Sequence, residues 1–304
     1  MMNVKTTMMR VVMIAACLIL SPLARAQDAP QVTRLTDNVH TVFWGFYNGL
    51  VVIGRDGVLI TDPANDNRAA VLRDEIAKLT DLPVTHIVLT HEHFDHIGGT
   101  GAFPDAQIIA QEYIRAVLPL DPLNLAPDDI DVGFVDRHVI DMGTTRVELR
   151  FLGAGDGVAT TVVHLPQERI AFTADLYEEE RLTPASFLED TNMVGVRRIL
   201  HDMQRWNLVH AVTAHSAGTS PSILEANIRY FDDLYEAVYP PVAAAAQSDN
   251  PFAMYGLLDT LPETVTLADY AGWSGYEHLP GHVRRMVLAI IHGEVVRVML
   301  LFFL

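Results

Sequence analysis

One cysteine, Cys17, occurs in 304 residues, and it lies near the N-terminus. If the chain is processed ahead of Gln27, no disulfide, thiolate nucleophile or cysteine metal ligand is left. Basic residues are also scarce, 21 Lys and Arg against 38 Asp and Glu, for a formal net charge of -17. Such a surface repels phosphate backbones, and no dense Lys/Arg run offers an exception, so nucleic acid is not an expected partner. Long apolar runs are missing too. Val11 to Leu20 is too short to cross a bilayer, and His292, Glu294 and Arg297 argue against a stable membrane span near the apolar end, Met299 to Leu304.

The N-terminus reads as a secretory signal over residues 1–26. Lys5 and Arg10 supply the positive region, Val11 to Leu20 the apolar region, and Ala24-Arg25-Ala26 the small-x-small cleavage site. A periplasmic or secreted location is therefore expected. Ile14-Ala15-Ala16-Cys17 also resembles a lipoprotein processing box, which is the competing reading. Half of the residues are apolar, enough for a sizeable core without disulfides.

The order of elements predicts an α/β fold. Val39 to Phe46, Leu50 to Gly54 and Val58 to Thr61 read as a meander, followed by a helix from Asn67 to Leu79 and a buried strand from Val84 to Leu89. Strand, helix, strand in this order predicts a parallel crossover. A strand over Ala106–Ala110, a short helix over Gln111–Val117 and a long loop, Leu118 to Asp131, come next; the loop is a candidate cover over a site. A second round of strands covers Arg146–Leu152, Thr160–Leu165, Ile170–Thr173 and Val209–Thr213, with a helix over Val194–Trp206. Two rounds, each ending in histidine, suggest two similar halves facing each other. From Pro221 the pattern is helical: Ser222 to Val238, ended by Pro240-Pro241, then Leu258 to Trp273 and His282 to Leu304.

One stretch organises this pattern: Thr90-His91-Glu92-His93-Phe94-Asp95-His96-Ile97-Gly98-Gly99. Three histidines and a carboxylate fall within six residues directly after an apolar strand. Imidazole and carboxylate are the donors that a borderline ion such as zinc prefers. On extended backbone His91 and His93 point the same way, whereas Asp95 and His96 follow a turn and can serve an adjacent second ion.

The stretch resembles the metallo-β-lactamase superfamily, as do Asp62 after the third strand, Phe172-Thr173-Ala174-Asp175 and Thr213-Ala214-His215, in that order. The likeness covers Val32 to Gly218. It implies an αββα sandwich over residues 27–220, here with a helical C-terminal region over residues 221–304. It also implies a metal site at one edge, between the two halves. By the same resemblance His91 and His93 would bind one metal, Asp95, His96 and His215 a second, and Asp175 would bridge them. Two cations would acidify a water and polarise the carbonyl it attacks, and Asp95 could also orient the nucleophile or relay a proton.

The sequence departs from the family pattern where a third histidine is usual. The turn reads Leu152-Gly153-Ala154-Gly155-Asp156-Gly157, and Asp156 is either a replacement ligand or a turn residue beside a weakened site. The resemblance implies an exported metal-dependent hydrolase of a small ester, lactone, thioester or amide, β-lactams among them, with one or two zinc ions. An aspartate in the first site also suits iron or manganese, so a redox enzyme on this scaffold is an alternative. A non-catalytic binding protein is another. Trp44, Phe46 and Tyr47 are candidates for a flap over the substrate. Glu178, Glu179 and Glu180 read as a solvated run, and His164 as a solvent-edge residue rather than a ligand.

Overall fold

The structure is a computed structural model that describes residues 29–250 and 252–293; the expected signal segment, Cys17 and Met299–Leu304 lie outside the described residues. Strands β1 (Gln31–Arg34), β2 (Val39–Phe43), β3 (Leu50–Ile53), β4 (Val58–Thr61), β5 (Val84–Val88), β6 (Gln107–Gln111) and β7 (Val132–Phe134) form one sheet in that order. The meander from β1 to β4 is antiparallel, and β4 to β7 pair in parallel. The second sheet runs β12-β11-β10-β9-β8, built from β8 (Arg137–Asp141), β9 (Arg146–Phe151), β10 (Thr161–Leu165), β11 (Ile170–Thr173) and β12 (His210–Thr213). Only β11 and β12 in this sheet are parallel.

Alternation along the strands sorts side chains into layers, because successive residues face opposite sides of a sheet. Leu50 and Val52 join Leu149, Val163 and Phe172 in the core between the sheets. Val51 and Ile60 point the other way, onto Ala69, Leu72 and Ile76 of helix α1 (Asp66–Leu79). The Asn65 side chain starts α1 by accepting the Arg68 N–H at 3.0 Å. On the far side, Val162, Ala171 and Ala211 pack on the helices α4 (Met193–Gln204), α5 (Pro221–Ala246) and α7 (Leu279–His292). The result is the expected αββα sandwich, with the C-terminal helices sharing the core of the second sheet. No helix among the described residues is long and apolar enough to cross a membrane.

Four expectations need correction. Helix α5 does not stop at Pro240-Pro241; it runs on to Ala246. Val238 and Val242, one turn apart, are both buried in the same core, and that burial outweighs the lost backbone bonds. The expected helix over Gln111–Val117 shrinks to the single turn α3 (Ile114–Val117), because β6 extends through Gln111. The helix expected over Leu258–Trp273 is shifted toward the N-terminus, as α6 (Ala253–Thr264) followed by an isolated turn at Ala268–Tyr270. Finally, the helix expected from His282 begins at Leu279, with Pro280 in its first turn, where the missing proline N–H has no intrahelical partner to lose. Strands β1 and β7 were not legible, and of β8 only a strand-like stretch around His138 was. The first two are short.

Candidate metal centre

The histidine stretch leaves the C-terminal end of β5, and its turn becomes the one-turn helix α2 (Phe94–Ile97). Gly99 sits behind it with φ +74°, and a Cβ there would fall 2.6 Å from Asn65 O. Only glycine lets the loop press this closely on the start of α1. Asp175 follows β11, His215 follows β12, and Asp156 lies on the β9–β10 loop. All seven residues singled out from the sequence meet at one edge of the sandwich. They form two groups whose donor atoms lie within 4.8 Å of one another: His91, His93, Asp156 and Asp175, and Asp95, His96 and His215.

Asp175 stands between the groups. Its Oδ2 is 3.4 Å from His91 Nε2 and 3.0 Å from His96 Nε2, and its Oδ1 is 2.9 Å from His215 Nε2. Asp156 Oδ2 is 3.2 Å from His93 Nδ1 and 3.8 Å from His91 Nε2. Asp95 Oδ2 lies 3.6 Å from His96 Nε2. Close as they are, His91 Nε2, His96 Nε2 and Asp175 Oδ1 are buried and make no hydrogen bond. Buried polar atoms are normally paired, so these atoms converge on a shared position instead of on one another.

The outward nitrogens explain why. Thr90 Oγ1 donates to Asp62 Oδ2 at 2.7 Å, which leaves its lone pairs to accept His91 Nδ1–H at 3.3 Å. His93 Nε2–H donates to Asp190 at 2.8 Å, and His215 Nδ1–H to the Phe46 carbonyl at 2.8 Å. Each bond fixes the tautomer that turns a lone pair inward, as in the outer shell of metal-ligating histidines. His96 Nδ1 faces Asp62 Oδ2 at 3.8 Å, too far for a hydrogen bond. Phe46, Asp62 and Asp175 all have left-handed backbone, with φ of 76°, 41° and 61°. Such strain gathers at functional sites.

The electrostatics match a cation site. Burial disfavours a charged His93, but the Asp156 and Asp190 carboxylates, which accept from its ring, overcome it and push its pKa up to about 12. His96 is likewise buried and held well above the usual imidazole value by Asp175 and Asp62. Burial would raise the Asp175 pKa, yet the His96 charge and the His215 and His91 rings close beside it hold it well below the usual carboxylate range. The cluster retains positive charge among its carboxylates, as protons or as metal ions that displace them. Four imidazoles and three carboxylates with inward lone pairs fit a pair of divalent cations.

Residues without an obvious sequence signal complete the site. Glu92, inside the motif but aimed away from the donors, accepts Val158 N–H at 2.6 Å and Ala159 N–H at 3.1 Å. It thereby clamps the loop that carries Asp156. Gly157 has a φ of +76°, which favours glycine, and a Cβ there would fall 2.5 Å from Glu92 Oε1 and push the clamp aside. Thr191 Oγ1 donates to Asp156 Oδ1 at 2.5 Å, while the Thr191 carbonyl accepts from Arg285 of α7. Asp156 is therefore no free turn residue. Its two oxygens are divided between Thr191 and the histidines.

Two readings are overturned. Glu178 is not part of a solvated run: it is buried, lines the cleft over the site, and has its pKa raised by that burial. His164 is not at a solvent edge. It is buried and stacked on Trp206 at 4.2 Å, with burial lowering its pKa to about 4. Of the residues expected to form a flap or cover, Phe46, Tyr47, Leu118 and Leu120 to Leu123 line the cleft; Trp44 pairs with Tyr47 but does not line it.

Comparison with known proteins agrees with this geometry. The chain is 24% identical over 185 residues to a metallo-beta-lactamase type 2 of Bacteroides fragilis, covering 56% of this chain and 72% of that protein. It is 28% identical over 171 residues to the beta subunit of 2,4-dinitroanisole O-demethylase from Nocardioides, covering 54% of this chain and about half, 52%, of that protein. The solved metallo-beta-lactamase from Pontibacter korlensis shares the fold, with a TM-score of 0.58 at 21% identity, covering 67% of this chain and 99% of that one. The sequence profile of the metallo-beta-lactamase superfamily matches residues 42–212, more than half of the sequence, and the chain belongs to that superfamily.

Proposed function

We propose that the chain is an exported metal-dependent hydrolase of a small ester, lactone, thioester or amide. His91, His93 and Asp156 would hold one ion, Asp95, His96 and His215 a second, and Asp175 would bridge the two. Zinc suits the imidazole-rich donors. Bound there, such ions supply Lewis acidity, lowering the pKa of water and polarising a carbonyl. Asp95, half-buried at the cleft wall, would take a proton from the attacking water and pass it to the leaving group. Tyr47 also lines the cleft, with burial and the charges of Asp95 and Asp175 raising its pKa. It stays protonated and can donate to a substrate oxygen.

The observation that carries this reading is the convergence of four imidazoles and three carboxylates at one edge of the sandwich, with the outer nitrogens of His91, His93 and His215 bonded away from the centre and the inner nitrogens of His91 and His96 left unpaired. Metal content and hydrolysis, measured for wild type and Asp156→Ala, test it. The variant should lose one ion and most activity, and absence of turnover across metal-loaded ester, lactone, thioester and β-lactam panels would sink it. Asp156 gives the site a third carboxylate, and that specific feature favours a harder ion. Stoichiometric iron in protein purified without added metal would turn the reading toward redox chemistry.

A further inference from the structure

The cleft above the donor atoms has a volume of about 750 Å³, within the range of sites that enclose drug-sized ligands. Its walls are mostly apolar. Phe46, Phe94, Leu120, Leu123 and Phe187 line it, yet each is between 43% and 73% exposed. These side chains come from four separate segments of the chain, so their meeting at one mouth is not a by-product of one greasy loop. Clustered exposed apolar residues mark a surface that is covered in use. The loop presenting Leu120 and Leu123 is built rather than loose: the Asp121 carboxylate accepts the N–H groups of Leu123, Leu125 and Ala126 at 2.8, 2.6 and 2.9 Å.

Charge narrows the occupant further. Eight carboxylates line the cleft against one guanidinium, Arg181. Arg181 is itself engaged, with Nη1 3.4 Å from Glu178 Oε2 and its Cζ 4.8 Å from the Phe46 ring centroid. Two divalent cations in the donor sets would still leave the lining net acidic. A substrate bearing its own carboxylate, as β-lactam antibiotics do, would enter against this field with no uncommitted cation to receive it.

We propose, building on the hydrolase reading, that the cleft takes a neutral ester, lactone or amide with an extended aliphatic or aryl group. That group lies against Phe94, Leu120, Leu123 and Phe187, with the carbonyl at the donor atoms, and carboxylate-bearing substrates are disfavoured.

The test is a series of p-nitrophenyl esters from acetate to decanoate, plus esters ending in an ω-carboxylate, with metal-loaded wild type and a Leu120→Ser/Leu123→Ser variant. Nile red displacement by methyl esters of the same lengths reports binding without turnover. The proposal expects kcat/KM to rise about threefold to fourfold per methylene until the cleft is filled. It also expects at least a tenfold loss on adding the carboxylate, and a flattened length profile in the double variant. Good turnover with a flat profile, or with a preference for the carboxylate, overturns this substrate class and leaves the hydrolase reading intact. If no ester is turned over, that reading fails, and displacement decides the cleft: affinity climbing with chain length upholds the apolar occupant, and unchanged affinity overturns it.

Discussion

Replacing Thr191 with valine keeps the shape of the side chain and removes a single hydroxyl. That hydroxyl donates to Asp156 Oδ1 at 2.5 Å between two buried residues. The other oxygen, Oδ2, is the one that faces His93 Nδ1 at 3.2 Å and His91 Nε2 at 3.8 Å. In the valine variant Oδ1 loses this donor, and the carboxylate can rotate about its terminal torsion, so Oδ2 is no longer held toward the histidines. A hydrogen bond to a charged group is worth about 1.5–3 kcal/mol. If all of it appears in metal binding, the site built on His91, His93 and Asp156 weakens about 10- to 100-fold, which is the range seen when partners behind metal ligands are removed.

The assay is zinc titration against a chromophoric chelator, for wild type, Thr191→Val and Thr191→Ser, with thermal unfolding run in parallel. Valine should weaken one of two binding steps and leave the other near wild type, because the hydroxyl that it removes bonds to Asp156, which belongs to the first donor group and not to that of Asp95, His96 and His215. Serine, which keeps the hydroxyl, should restore most of the loss. A folded valine variant that binds both ions like wild type would refute the idea that Thr191 orients Asp156.

Three further outcomes are expected. Glu92→Gln turns an amide N–H₂ toward one of the two backbone donors that the carboxylate now accepts, costing about 1–3 kcal/mol in denaturant unfolding and lowering metal content along with it. Gly99→Ala forces a side chain onto left-handed backbone and against Asn65 O; about 1–3 kcal/mol of stability should be lost, read as a lower unfolding midpoint at unchanged m-value. His282 is buried and neutral, donating through Nε2 to Thr183 O at 2.9 Å and accepting the Tyr230 hydroxyl on Nδ1 at 2.8 Å, and burial lowers its pKa from 6.5 to about 4. Above pH 6.5 neither the folded nor the unfolded state protonates it. As pH falls from 6.5 to 4 only the unfolded state gains the proton, so stability drops by about 3 kcal/mol and then levels. His282→Gln should remove that part of the acid slope in chemical unfolding.

The histidine stretch was readable because its ligands are local: His91, His93, Asp95 and His96 fall on one strand exit and one turn, and spacing alone placed them together. Asp175 and His215 were named through the family resemblance, and the fold supplies the physical reason: each follows an apolar strand, and parallel β11 and β12 carry both to the same edge. Fold class followed from the same alternation of strands and helices. The misread parts depend on contacts that lie far apart in sequence. Nothing local to Pro240-Pro241 tells that Val238 and Val242 share a core strong enough to carry the helix through. Nothing around Glu178 distinguishes it from Glu179 and Glu180 until the cleft closes over one of the three, and His164 needs Trp206, forty-two residues away, to become a core residue.

Asp156 is where local and distant information meet. In the sequence it is an aspartate in a glycine-rich turn, which a turn accommodates without any ligand role. The fold surrounds it with three restraints from three places. Glu92 clamps the following residues from inside the histidine motif, Thr191 takes one carboxylate oxygen, and Arg285 of the C-terminal helix α7 donates to the Thr191 carbonyl. Asp190, the neighbour of Thr191, meanwhile holds His93. A short carboxylate reaches less far than an imidazole and has a freer terminal torsion, so it is useful as a donor only where its direction is imposed. The loop from Asp190 to Asn192 imposes it, and α7 braces that loop. The helical C-terminal region is thus coupled to the first donor set through backbone and side-chain hydrogen bonds. Arg285→Ala should accordingly weaken the same binding step as Thr191→Val, by a smaller factor, because it loosens the brace and leaves the hydroxyl in place. An Arg285→Ala effect on the Asp95, His96 and His215 step alone would break this chain of restraint.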